Sequence, residues 1–222
     1  ETHYDKQPCI DVLEAITTLE AQTPEGAAAA HQRFLKHLDK QASLMAATRW
    51  LMAQAGELGL DATRFAVGGD SAGATLASVI CAELAATQGG KPCAQLLFYP
   101  VTDTSRQRDS HRRYAEDYLL ETATLEWFYH HYSADPAQHL DWRVSPLLAT
   151  GLSELAPAYV SLAEYDPLFD EGQAYAQRLQ ASGTDVTLRV EQGLTHDFLR
   201  MGGIVGDVEG IYTAVDHWLA AH

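Results

Sequence analysis

The stretch AVGGDSAGA, Ala66 to Ala74, places a serine between small residues directly after an apolar run. RFAVGG (64–69) reads as a short apolar strand, and the residues from about 72 to 87 read as a helix that ends in TQGG. The turn joining them has to be sharp, and tight backbone angles at Ser71 call for small neighbours, which Gly69, Ala72 and Gly73 supply. Gly69, Asp70 and Gly73 therefore form the candidate nucleophile turn. A G-x-S-x-G pattern alone is weak, and a plain glycine-rich turn would look the same. Strand before and helix after is the setting in which such a turn exposes a nucleophilic hydroxyl. The N–H of Ala72, at the helix N-terminus, would then face an oxyanion.

Working outward, strand and helix alternate. Leu44, Ala47, Leu51, Ala55 and Leu58 recur at helical spacing, with Gly59 as the stop. AQLLFYPV (94–101) is a second strand, LAPAYVSLAEYD holds a third and DVTLRVEQG a fourth. Phe169, Gly172, Ala176 and Leu179 mark one following helix, and Val208, Ile211, Val215 and Leu219 another. Near-continuous apolar strands alternating with helices predict an α/β fold, a mostly parallel, doubly wound sheet covered on both faces. Residues 102–156 break the rhythm with a polar run and a helix, TATLEWFYHHY, whose Leu125, Phe128 and Tyr132 share a side. They are expected to form an insertion above the strand ends. The first 42 residues suggest two helices, about 9–20 and 26–39, with no strand between them. The division expected is an amino-terminal helical segment, 1–42, and a catalytic domain, 43–222.

A serine nucleophile needs a base, and the base an orienting carboxylate. In this architecture the order is serine, acid, histidine, each at the carboxyl end of a strand. EQGLTHDF sets His196 after the fourth strand, and AEYDPLFDEG sets Asp166 after the third, where Pro167 blocks continuation. Asp103, in YPVTD, competes for the acid's role, but the Asp166 loop neighbours the His196 loop and ranks first. His130, His131 and His139 have no spaced carboxylate or cysteine beside them, so no metal is expected.

The chain has 222 residues and a formal charge of −15, which disfavours nucleic acid and anionic membranes as partners. Cys9, Cys81 and Cys93 show no metal spacing and read as reduced, small apolar residues. The amino end lacks a basic start with an apolar core, and the apolar run near Leu76–Ala86 is interrupted by Glu83 and too short to span a bilayer. A cytoplasmic protein without a membrane span is the expectation.

GDSAG, SPL (145–147), AEYDPLFDEGQAYAQRL and GLTHDF together resemble the bacterial hormone-sensitive-lipase-like (family IV) esterases of the α/β-hydrolase superfamily. The resemblance runs from about Leu44 to His222. It implies a triad of Ser71, Asp166 and His196, cofactor-free hydrolysis of short-chain acyl esters, a helical cap built partly from the amino-terminal segment, and homodimers in many members. Amidase or acyl-transfer chemistry would use the same parts. Ala74 and Asp197 stand where glycine is usual in the family.

One departure is larger. The family's HGGG loop, which completes the oxyanion hole, is absent from the sequence, as are the strands expected before the serine strand. RFAVGG reads as an interior strand and needs a neighbour on each side. The expectation is either a segment of on the order of one hundred residues missing between about Leu38 and Leu44, enough for several strands with their helices, or a truncated, inactive relative. Exchange of that segment between the chains of a dimer is a further possibility.

Overall fold

The computed structural model describes residues 38–222, except 88–89, 134 and 206–207. The expected helix at 9–20, nearly all of that at 26–39, and Cys9 lie outside the described residues. The helices are α1 (Leu38–Gln54), α2 (Ala72–Ala86), α3 (Asp109–Arg113), α4 (Thr122–Tyr132), α5 (Phe169–Ala181) and α6 (Val208–Ala221). Four strands, β1 (Ala66–Asp70), β2 (Ala94–Phe98), β3 (Ala158–Tyr165) and β4 (Val186–Thr195), form one parallel sheet in chain order.

Alternation along the strands divides the core in two. Leu97, Ala158, Val160 and Leu162 face one side and pack with Met45, with Ala77 and Leu84 of α2, and with Tyr175 and Leu179 of α5. Phe98, Tyr159 and Ala163 face the other and pack with Phe198 and with Ile211 and Val215 of α6. β3 is buried on both faces from Ala158 to Ala163, which explains why its sequence is apolar without alternation. The residues linking β2 to β3 are tied down at their start: Leu147 N–H donates to Thr102 O (2.9 Å), and Ser145 Oγ accepts Thr104 N–H (2.9 Å).

Three details differ from the sequence reading. β2 stops at Phe98 rather than 101, because Tyr99 turns the chain at φ 35° and Pro100 has no N–H to offer a ladder. α1 ends at Gln54 rather than running on to Gly59; within it Met45 is buried and Leu51 exposed, and beyond its end Ala55 is buried and Leu58 exposed. In α4 the inward side is Thr122, Leu125 and Tyr129, and Phe128 points outward. Burial lifts the Cys81 thiol to about 12, so it behaves as an inert core residue.

Candidate active site

β1 runs straight into α2, and Ser71 is the residue between them, at φ 51° and ψ −120°. Such a backbone is strained for a residue with a side chain and is found where a site requires it. Ser71 is held from two sides: its N–H donates to Phe98 O (2.9 Å), and its carbonyl accepts Ala74 N–H (3.1 Å). Gly69 is obligatory, since a Cβ there would lie 2.4 Å from the Gly73 carbonyl carbon. Gly73 is less confined, its added Cβ meeting only Asp70 Oδ1 at 3.8 Å. Ala72 opens α2, so its N–H has no intrahelical acceptor and is free to bind an anion.

Asp166 follows β3 and His196 follows β4, two neighbouring strands whose last paired residues are Tyr165 and Thr195. Their side chains meet at 2.7 Å, His196 Nδ1–H donating to Asp166 Oδ2, and Ser71 Oγ lies 3.0 Å from His196 Nε2. The second carboxylate oxygen of Asp166 accepts Leu168 N–H at 2.9 Å, which fixes the carboxylate's rotation. Asp166 and His196 are buried. Burial alone pushes the His196 pKa down. The Asp166 charge and hydrogen bond, with Asp197 and Asp70 nearby, outweigh it and hold it above the ordinary histidine value. Such a relay can draw a proton from the serine as it attacks a carbonyl carbon.

Asp103 sits elsewhere. Its buried carboxylate accepts Ser105 Oγ–H (2.5 Å) and Arg108 Nη2–H (2.8 Å), and does not reach His196. Burial would raise its pKa, but these donors outweigh burial and lower it. His139 is spent on Thr104 Oγ1 (2.8 Å) and Ser133 O (3.1 Å), and His131 stacks on Trp127 at 3.9 Å. Among the described residues no three metal-capable side chains converge, and no helix is long and apolar enough to cross a membrane.

Four side chains around this centre escaped the sequence reading. Glu171 is buried in the first turn of α5, where Oε1 accepts Thr102 N–H (2.7 Å) and Asp103 N–H (3.1 Å). Burial pushes its carboxyl up to about 8. His111 of α3 accepts Arg108 N–H at Nδ1, which puts its proton on Nε2, 3.6 Å from Glu171 Oε2. Arg200 pairs with Asp70 at 3.1 Å, linking the histidine loop to the serine turn. Tyr99 packs its ring on His196. Only a Tyr-Pro pair at a strand end hinted at the last of these.

The model of a family described as alpha/beta hydrolase fold matches residues 29–200. Ethyl acetate hydrolase of Pseudomonas putida is 49% identical over 172 residues, covering 77% of this chain and 54% of that protein. The carboxylic ester hydrolase LipN of Mycobacterium tuberculosis is 44% identical over 153 residues, covering 65% of this chain and 40% of its own. Among solved structures, a thermostable esterase from Pseudomonas putida superposes with a TM-score of 0.74 at 35% identity, over 77% of this chain and 55% of the other. An ester-hydrolase from the metagenome of Lake Arreo gives a TM-score of 0.76 at 39% identity, over 80% and 56%. The chain thus spans about half the length of the relatives it matches.

Proposed function

The chain belongs to the alpha/beta hydrolase family, in the hormone-sensitive-lipase-like branch, and on that premise we propose that it is a serine carboxylesterase of short-chain acyl esters. The observation that carries the reading is the continuous relay from Ser71 Oγ to His196 Nε2 at 3.0 Å and from His196 Nδ1 to Asp166 Oδ2 at 2.7 Å. Ser71 Oγ attacks the acyl carbon while His196 takes its proton. The oxyanion of the tetrahedral intermediate faces Ala72 N–H. Collapse expels the alcohol, protonated by His196, and leaves Ser71 acylated. Water, deprotonated by His196, then attacks the acyl carbon, and the carboxylic acid departs as Ser71 recovers its proton. The chemistry calls on no cofactor or metal. The similarity to an ethyl acetate hydrolase supports the choice of ester over amide and of a short acyl chain.

Replacing Ser71 by Ala tests this. Turnover of a chromogenic acetyl or butyryl ester should fall by roughly 10⁵–10⁶ in a protein that stays folded. Undiminished turnover in folded Ser71→Ala would refute the assignment.

A second reading, a hydrolase-like binding protein without turnover, is favoured by one observation. β1 pairs with β2 alone among the described residues, so its outer edge is open beside the serine and brings no second oxyanion donor. In the catalytic reading a glycine-rich segment of a longer polypeptide adds to that edge and supplies the donor, within one molecule or by exchange in a dimer. Ester turnover by the parent protein separates the two readings.

A further inference from the structure

Tyr99 ends β2 with φ 35°, in the left-handed region, where a bulky aromatic is an outlier. It also precedes Pro100, which narrows its conformations further. Its backbone is nevertheless pinned, with N–H donating to Ser161 O at 2.7 Å. The side chain is 1% exposed, and its hydroxyl has no hydrogen-bond partner among the described residues. Strain and an unpaired buried hydroxyl both cost stability, and a leucine continuing the strand would avoid both. What the strained backbone achieves is the direction of the ring. Its centroid lies 4.7 Å from that of His196, inclined at 59°, and 4.8 Å from that of Phe198, edge to face at 80°.

We propose that Tyr99 is a positioning residue for His196, its ring being the wall that holds the imidazole in line between Asp166 and Ser71. The inference rests on the serine hydrolase reading above. Asp166 and Ser71 each touch His196 at one ring nitrogen, which leaves rotation and tilt of the ring plane to packing. Phe198, itself fully buried, packs edge to face with Tyr99 and limits the ring's freedom to shift. The ring also lies within the distance at which an aromatic face attracts a cation, so it favours the imidazolium formed as Ser71 loses its proton. The other charged groups around His196 are Asp166 on the β3–α5 loop, Asp197 beside it in the chain, and Asp70 on β1, itself paired with Arg200. Those charges are untouched by a change at Tyr99, so the ring's contribution can be read separately.

The experiment compares Tyr99→Leu with Tyr99→Phe in the full protein, using a chromogenic short-chain ester. Active sites are counted by stoichiometric reaction with an organophosphate, so that misfolded molecules drop out of kcat. Tyr99→Leu should lower kcat by about 10²-fold with KM little changed, because a displaced catalytic group loses alignment rather than binding. The pH midpoint of its kcat/KM should also move down, as the imidazolium loses the ring face. Tyr99→Phe, which keeps the ring, should restore most of the lost kcat and the parent midpoint. If Tyr99→Leu does not fold, Tyr99→Met, whose adaptable chain fills the volume without an aromatic face, carries the same comparison. A ringless variant with the parent kcat per site and the parent midpoint would overturn the proposal. So would a Tyr99→Phe protein as impaired as Tyr99→Leu, since the hydroxyl would then be the active part. Persistent turnover in Ser71→Ala would instead remove the reading beneath the proposal.

Discussion

β1 and β4 are the two outer strands of the described sheet, and they treat their open edges differently. β4 carries exposed Arg189 and Gln192, and a register irregularity opposite Ala163–Tyr165 bends its pairing near the end. Charges and irregularities of this kind discourage further strand pairing. β1 has no such irregularity and little charge. Its five residues, Ala-Val-Gly-Gly-Asp, have a single charge, Asp70, and the alternation set by Ser71 N–H bonding to Phe98 O turns the N–H groups of Gly68 and Asp70 away from β2. α1, which packs against α2, exposes Trp50, 57% accessible, and Leu51. β4 is therefore built as a true edge and β1 as a strand awaiting a neighbour. The proposed acid and base, Asp166 and His196, stand on the finished flank, held by contacts within this chain, whereas the proposed nucleophile, Ser71, stands on the flank that wants a cover.

The comparison can be broken most severely at the acid. Asp166→Asn should reduce kcat by about 10⁴, because the amide stabilises the wrong histidine tautomer. Asp103→Asn should leave kcat close to the parent and instead destabilise the fold by about 1–3 kcal/mol, since half-buried Arg108 loses its charged partner. Both are read from ester turnover and urea midpoints. Reversed effects would show that the orienting carboxylate belongs to the strand next to β1 and that the finished flank has been misplaced.

A milder test is the pH profile. In the proposed relay His196 can serve as a base only when neutral, and its neighbouring carboxylates hold its pKa above the ordinary histidine value. Activity should therefore be low in acid and rise with pH, with a midpoint above that value in kcat/KM. Flat activity from about pH 5 to 9 would contradict a histidine base.

Glu171 sharpens the comparison with the smallest effect. Its pKa rises on folding from 4.5 to about 8, so the folded state holds the proton more tightly than the unfolded one. The sign follows: its favourable contribution is complete below pH 4.5 and is lost as pH climbs through about 8. Glu171→Gln keeps an acceptor for Thr102 and Asp103 N–H but does not titrate. Urea midpoints at low and high pH should differ less for Glu171→Gln than for the parent, and an identical pH dependence would refute the account of this residue.

The convergence of Ser71, Asp166 and His196, the proposed triad, was legible in the sequence because each sits where an apolar strand gives way to a turn, and their order along the chain is one the architecture allows. The parallel sheet was legible for the same reason, from runs such as AYVSLA that are apolar on both faces. Tyr99 and Glu171 were not, because their roles arise between elements: one from a positive φ that no glycine announces, the other from a helix start meeting the loop after β2. The faces of α1 and α4 were misread at Leu51 and Phe128 because periodicity shows that a stripe exists, while the packed neighbours decide which stripe is buried.

The central claim is that Ser71 is an activated nucleophile, and reaction with an organophosphate followed by peptide mass analysis tests it most directly. The account predicts one adduct, on the peptide containing Ser71, absent from Ser71→Ala and formed far more slowly in Asp166→Asn. An unmodified Ser71 in the folded parent protein, or an adduct at another residue, would contradict it.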